Sequence, residues 1–205
     1  MEIVGGESTV DSQERLTYSG MMMQECDRIQ RICKEGPMIL LTRRLDDTKE
    51  MLEDAMNELE EVVDDSTAIP FTSDEDEDTL PQNSLSSKQK EFAIRTQKVL
   101  KLLSLLYKAI GKRRITIKTG YENSMLVKLD GIWTRLEGLN VAVDELVAEI
   151  GLGNEDAMTL ELGLIHVVDE AQRLSMAVRE PLNGGSDAQV EWFDMWSKKM
   201  KGSGE

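Results

Sequence analysis

The chain has 205 residues and a formal net charge of −15, because 39 acidic residues outnumber 24 basic ones. An acidic balance of this size excludes general nucleic-acid binding, which requires a cationic footprint. Hydrophobic residues make up 40% of the chain, aromatic residues only 4%, and there are four prolines. Since Leu, Met, Ala, Glu and Lys favour helices, we expect an all-α fold with a core of its own.

The N-terminal part of the chain predicts a helical hairpin. Residues 1–11 contain Gly and Ser and predict a frayed N-terminus, without the basic start and apolar run of a signal peptide. Over 12–65 apolar residues recur at helical spacing, interrupted by a Glu-Gly-Pro stop signal at 35–37. No stretch approaches the roughly 18 apolar residues of a membrane span, so we expect no membrane contact.

Residues 66–87 break this helical pattern. They contain two prolines, many Ser and Thr residues and the acidic run DEDED at 74–78, a composition that predicts a disordered acidic linker. Thr72 and Ser73 stand directly before the run, and Ser73 is followed by five acidic residues. That pattern is typical of sites that acidophilic kinases of the casein type phosphorylate.

The remaining residues, 88–205, predict a C-terminal helical bundle that packs with 12–65 as one unit. Three long helices are expected at about 88–113, 120–150 and 155–180, followed by a short last helix. With the N-terminal hairpin, this gives an antiparallel helical bundle of about five long helices plus a short C-terminal helix.

The helix predicted at 88–113 is both unusually apolar and unusually basic. Leu105 and Ala109 widen its apolar face, so we expect it to be covered on more than one side. The stretch LLSLLYKAIGKRR at 102–114 then ends in a candidate basic patch. The patch consists of Lys108, Lys112, Arg113 and Arg114.

Charge separates the helices of the chain. Residues 88–118 carry ten basic residues and one acidic residue, a net charge of +9, whereas 38–65 carry three basic and ten acidic residues, a net charge of −7. One interpretation is that the two helices pack antiparallel and that their charges select the correct neighbour. The other is that the basic patch is a nuclear-import signal or binds an anionic partner.

Signals of catalysis are nearly absent from the sequence. His166 is the only histidine, and its apolar neighbours indicate a partly buried structural residue. Cys26 and Cys33 lie seven residues apart, too far to bridge each other along one helix, and they lack the spacing of a zinc site. We therefore expect free thiols, no catalytic residues, no metal and no cofactor.

Two groups of apolar residues are candidates for binding a protein partner. The first helix carries flexible methionines that suit an adaptable surface. The last helix carries two tryptophans at i and i+4, which either dock onto the bundle or form a partner-binding face. The candidate residues are Met22, Met23, Cys26 and Ile29 in the first group, and Trp192 and Trp196 in the second.

Several segments, in this order along the chain, resemble the cyclin D-interacting protein family (GCIP, or cyclin-D-binding protein-like), particularly its fungal-type members. The likeness covers most of residues 18–200, and the acidic linker also falls at a similar place. The segments are YSGMMMQECDRIQRICKEG at 18–36, MLEDAMNELEEVVDD at 51–65, LLSLLYKAIGKRR at 102–114, LDGIWTRLEGLNVAVDELVAEI at 129–150 and VEWFDMW at 190–196.

The resemblance implies a bundle related to the vinculin and α-catenin type and a non-enzymatic protein of nucleus and cytoplasm. It also implies protein partners among cell-cycle and transcription regulators of the cyclin type. Family members usually carry more helical sequence before the part that corresponds to Tyr18. The chain is therefore either a shortened form or a truncated gene model, and in both cases we expect an exposed apolar face, which a homodimer would cover. A structural scaffold of the vinculin and α-catenin type stays open as the alternative function.

We predict that an acidophilic casein-type kinase modifies Ser73 or Thr72 without unfolding the protein. A phosphate adds about −1.5 to −2 charges, and a disordered linker tolerates added charge. Mass spectrometry after incubation with the kinase measures the modification, and thermal melting measures the fold. An unlabelled 66–87 segment would contradict the site prediction.

Overall fold

A computed structural model describes residues 18–24, 26–27, 29–30, 36–65, 86–115, 123–153, 156–182 and 187–204. The described residues between 18 and 30 are helical and are called α1. The other helices are α2 (Pro37–Asp65), α3 (Ser87–Arg113), α4 (Asn123–Gly151), α5 (Ala157–Val178) and α6 (Val190–Gly204). The described ranges contain no strand, so the predicted all-α bundle is confirmed. The helices α2 to α5 have 22 to 29 residues and α6 has 15.

The start of α3 is fixed by a capping box. The Ser86 hydroxyl accepts a hydrogen bond from the Gln89 backbone N–H at 3.3 Å, and the Ser86 N–H donates to Gln89 Oε1 at 2.7 Å. This arrangement satisfies two backbone donors that the first turn of a helix leaves without partners. The last two residues of the predicted linker, Ser86 and Ser87, therefore belong to the helix terminus. The rest of that linker, with Thr72 and Ser73, lies outside the described residues, as do residues 1–11.

The start of α5 has a cap of its own. The Asp156 carboxylate accepts hydrogen bonds from the Thr159 hydroxyl at 2.7 Å and from the Met158 N–H at 3.1 Å. These bonds, that of Thr159 above all, hold the pKa of Asp156 below its ordinary value. A charged carboxylate at this position also interacts favourably with the positive end of the helix dipole.

The four long helices form a ring in which α3 and α4 lie diagonally. The N-terminal half of α2 lies beside the C-terminal end of α3, since a Cβ at Gly111 would lie 3.4 Å from Leu45. The two helices are thus antiparallel, as predicted. By contrast, α2 and α4 run parallel: Arg44 bonds Glu137, and Thr48 accepts a bond from Asn140.

The second half of the ring repeats this arrangement. Gly163 of α5 packs so closely on α4 that an added Cβ would lie 3.0 Å from Leu146, and the pair is antiparallel. The helices α3 and α5 are parallel, because Gln89 near the start of α3 bonds the Gly153 carbonyl just before α5. Each long helix therefore has one parallel and one antiparallel neighbour.

The groove between α3 and α5 is filled by α6. Trp196 Nε1 donates to the Leu102 carbonyl at 2.8 Å, and the side chains of Phe193 and Met200 are buried. Covering α3 with α2, α5 and α6 confirms that this helix is buried on several sides. Ala109 is buried as expected, but Leu105 is 50% exposed, because it lies on the outward stripe of α3.

The core is built from apolar side chains of α2 to α6. Fully burying a large aliphatic or aromatic side chain contributes about 1.5–3 kcal/mol before the cost of ordering the chain. The largest fully buried side chains are Tyr107, Phe193, Met38, Leu41, Leu45, Leu59, Leu100, Leu103, Leu106, Ile110, Ile132 and Leu136.

The outward lysines of α3 do not form the contacts that charge matching with α2 would give. Lys101, Lys108 and Lys112 are exposed and make no ion pair with another described residue. The ion pair of Arg95 instead reaches Glu161 of α5. Any electrostatic match between α2 and these lysines therefore acts through solvent, where single pairs contribute about 0–1 kcal/mol.

We predict that reversing Lys101, Lys108 and Lys112 to Glu lowers the melting temperature by a few degrees at low salt. The reversal adds six negative units to a chain that already has a net charge of −15. Salt of about 0.5 M should largely restore the melting temperature, because exposed charges are screened. Replacing the same lysines with Gln is the control and should lower the melting temperature less. An equal loss at low and high salt would contradict the prediction.

Candidate interaction surfaces

Arg114 joins three parts of the chain at one end of the bundle. Its Nε donates to the Val178 carbonyl at 2.6 Å, and Nη2 donates to the Arg179 carbonyl at 2.6 Å. Both terminal nitrogens bond the Asp187 carboxylate, at 2.7 and 3.3 Å, and the guanidinium lies 4.7 Å from the Phe193 ring centroid. With its side chain only 1% exposed, Arg114 fixes the end of α5 and the start of α6 relative to α3.

A second arginine extends this network. Arg179 donates through Nε and Nη2 to the Asp194 carboxylate at 2.7 and 2.9 Å. The hydrogen bonds from Arg179 hold the pKa of Asp194 below its ordinary value, and those from Arg114 do the same for the pKa of Asp187. Both carboxylates therefore stay charged at neutral pH: Asp187 attaches the turn before α6 to the end of α3, and Asp194 attaches α6 itself to the end of α5.

The candidate basic patch is consequently divided. Arg114 is buried, and Arg113 is half-buried with its guanidinium 4.4 Å from the Trp192 ring centroid. Only Lys108 and Lys112 are fully on the surface. The structure thus gives a structural role to two of the four cations. The signal for Arg114 was present in the sequence, because it continues the buried stripe that contains Ile110 at helical spacing.

The two tryptophans of α6 pack against the bundle. Trp196 is 4% exposed and bonds the Leu102 carbonyl, while Trp192 is half-buried in edge-to-face contact with Phe193 at 5.1 Å. Of the two interpretations of this pair, docking onto the bundle agrees with these contacts. Because α6 packs on the bundle, the Trp196 side chain is too buried to contact a partner.

The helix α1 has the opposite character. Every described side chain in it is exposed, including Cys26, which is a free thiol. The exposed fractions of its large apolar side chains are Tyr18 66%, Met21 60%, Met22 70%, Met23 73% and Ile29 50%. The structure therefore places all four predicted partner-binding residues of this helix at the surface.

A groove between the parallel helices α2 and α4 was not predicted from the sequence. It has a volume of about 290 Å³. The buried side chains of Ala55 and Val147 form its floor, and exposed carboxylates stand around it. Its lining residues are Met51, Asp54, Ala55, Glu58, Asp144, Val147 and Ala148. The pairing of α2 with α4 creates this groove, and sequence periodicity alone does not reveal which helices are neighbours.

His166 does not have the partly buried position that was predicted. It is exposed and lines a shallow depression between α4 and α5, next to Gly138 and Glu170. The reason is that Val167 and Val168 occupy the inward face of α5 at this level. Within the described ranges, no three His, Cys, Asp or Glu residues are arranged to hold a metal ion. Nor does any helix there have the length and hydropathy to cross a membrane.

Comparison with known proteins gives two relatives that are themselves uncharacterized. A Saccharomyces cerevisiae protein is 23% identical over 206 residues, which cover 92% of this chain and 57% of the relative. A Schizosaccharomyces pombe protein is 27% identical over 188 residues, which cover 89% of this chain and 53% of the relative. The chain thus spans a little over half the length of these relatives. No protein-family model and no solved structure matches it.

We predict that replacing Arg114 with Met lowers the free energy of unfolding by about 3 kcal/mol or more, because two helix carbonyls lose their donor. Lys112→Met, at an exposed position two residues earlier in the chain, is the control and should lower the free energy of unfolding by less than about 0.5 kcal/mol. Urea unfolding followed by circular dichroism measures both. Equal losses for the two variants would show that the Arg114 contacts do not stabilise the fold.

Proposed function

We propose that the protein is a non-enzymatic helical binding protein that regulates the cell cycle or transcription through protein partners. The observation that carries the proposal is the exposure of α1. Most of the stability of a helix in a protein comes from packing of its apolar face, and every described side chain of α1 is exposed. Its exposed Met21, Met22, Met23 and Ile29 therefore gain most from association with another apolar surface.

The chemistry of α1 suits a protein partner. Methionine side chains are flexible and polarisable, so Met22 and Met23 can adapt to differently shaped surfaces. An amphipathic helix that places its apolar face in a groove is a common mode of recognition. A second copy of the chain would provide such a surface, which makes a homodimer one form of the same association.

The class of partner rests on the family resemblance of the segments at 18–36, 51–65 and 102–114. Cyclin D-interacting proteins bind regulators of cell cycle and transcription in the nucleus and cytoplasm, and we propose the same partners and locations here. A scaffold of the vinculin and α-catenin type would also use a helical bundle, but it would bind actin-linked proteins. The identity of the captured partner separates the two functions.

The test compares two double variants of the whole chain. Met22→Gln with Ile29→Gln removes apolar surface from α1, at side chains that are 70% and 50% exposed. Met158→Gln with Ile165→Gln is the matched control, because these residues of α5 have the same chemistry, the same spacing and exposures of 70% and 49%. Affinity purification with mass spectrometry identifies partners, and light scattering measures self-association.

We expect cyclins or transcription regulators with the wild type and the α5 control, and a loss of roughly tenfold or more with the α1 variant. Circular dichroism should show unchanged folding in all three proteins. Equal recovery with both double variants would contradict the proposal. Recovery of actin-linked proteins instead would support the scaffold function.

A further inference from the structure

The α2–α4 groove lies on the side of the ring opposite α6, where α2 and α4 pack directly against each other. On the other side, α6 lies across α3 and α5 and buries Phe193, Trp196 and Met200 there. Between α2 and α4 no described helix takes the same position, and the described residues of α1 are all exposed rather than buried in it. The outer surface of this pair is therefore uncovered by the described helices.

The floor of the α2–α4 groove is apolar and shaped by small residues. Ala55 and Ala148 leave room between the two helices, and Val147 closes the floor beneath them. The Met51 side chain, 38% exposed, accepts a weak bond from Asn140 Nδ2 at 3.6 Å from its sulfur. Val141, 55% exposed, extends the apolar surface along the outward face of α4.

The rim of the groove carries negative charge that the bundle does not neutralise. Asp54, Glu58 and Asp144 line it, and none of the three forms an ion pair with another described residue. Partial burial of Asp144 raises its pKa, as expected for a carboxylate that lacks a cation. Asp47 and Glu61 are exposed at helical spacing before and after them on α2. A ligand with cationic side chains would therefore form favourable charge interactions along the rim.

We propose that the α2–α4 groove binds a basic amphipathic helix of a protein partner. Apolar side chains of that helix lie against Met51, Ala55 and Ala148, and its Lys or Arg residues pair with Asp54, Glu58 and Asp144. This inference rests on the proposed partner-binding function and names the chemistry of one partner. It concerns a different surface from α1, so either surface can fail without the other.

The dimensions of the groove set the pattern of the occupant. Met51 and Glu58 are seven residues apart on α2, which corresponds to about 10 Å along the helix. A partner helix of two to three turns covers this length and presents apolar residues at i, i+3 or i+4, and i+7. Cationic side chains then flank the apolar stripe on both sides, since the carboxylates come from both α2 and α4.

The probe is a fluorescent helical peptide of about 14 residues, or roughly four turns, with a leucine stripe flanked by lysines. Two matched peptides keep its length: one has Glu in place of Lys, and the other has Ser in place of Leu. Fluorescence anisotropy measures the binding of each to the whole chain. We expect the Leu/Lys peptide to bind, more weakly at high salt, and the other two to bind at least tenfold more weakly.

A charge-matched pair of variants locates the binding. Asp54→Asn, Glu58→Gln and Asp144→Asn together remove the rim carboxylates, and we expect roughly tenfold weaker binding, as for three modest charge pairs. The control, with the same change in net charge, replaces exposed acids of α3, α5 and α6: Glu91→Gln, Asp169→Asn and Glu191→Gln. It should change binding less than about twofold, because it leaves the rim intact. Circular dichroism verifies the fold of both proteins.

A third variant tests the floor without changing charge. Ala148→Trp fills the groove from its exposed side and should weaken binding of the Leu/Lys peptide, although the acidic rim remains. Equal effects of the rim and control variants, or equal binding of the Leu/Lys and Ser/Lys peptides, would overturn the proposal in favour of a general acidic surface. No binding of the Leu/Lys peptide would overturn it directly.

Two other occupants are separate outcomes that would also overturn the proposal. Tighter peptide binding after Met22→Gln with Ile29→Gln would mean that α1 of the same chain occupies the groove. Dissociation of a dimer by Ala148→Trp would mean that a second copy occupies it. Failure of the peptide experiments with successful partner capture through α1 would reject this inference and leave the proposed function standing.

Discussion

The guanidinium of Arg114 is the contact on which one end of the bundle depends. The last carbonyls of any α-helix lack partners within the helix, and at a buried end they must find donors elsewhere. Here Arg114 donates hydrogen bonds to the carbonyls of Val178 and Arg179, and it also donates to the carboxylate of Asp187. No lysine could do this, because a single ammonium cannot present a planar set of donors to two carbonyls and a carboxylate. A positive charge at this place also interacts favourably with the negative end of the α5 dipole.

This contact explains why the basic cluster at the end of α3 includes Arg114. The charge count of the sequence located the cluster, and helical periodicity correctly predicted the helices α2 to α6. Which of the four cations turns inward depends on the partners at Val178 and Asp187, which are more than 60 residues away. Charge alone grouped the four cations as a surface patch, although the helical spacing from Ile110 places Arg114 on the buried stripe.

The surfaces show a further limit, because sequence patterns describe one helix at a time. The sequence predicted Met22, Met23 and Ile29 as a surface for partners. These side chains are exposed, because no described helix covers them. The α2–α4 groove was not predicted, because it exists only where Met51 and Asp144 come together from helices that are far apart in the chain. His166 and Leu105 were assigned too much burial for a related reason: a wide apolar face reveals how much of a helix can be buried, but not which edge of that face receives a neighbour.

Parallel pairing in the ring also bears on how fast the protein folds. Neighbouring parallel helices must be joined by chain that passes the length of the bundle, so many native contacts link distant residues. Arg44 and Glu137 are 93 positions apart, Asn140 and Thr48 are 92, and Trp196 and Leu102 are 94. Bundles of simple up-and-down hairpins owe their fast folding to local contacts, and ordering long loops before such distant pairs form costs entropy. This bundle should therefore fold more slowly than its helical content suggests, with the closure of α2 on α4 and of α6 on α3 as its late events.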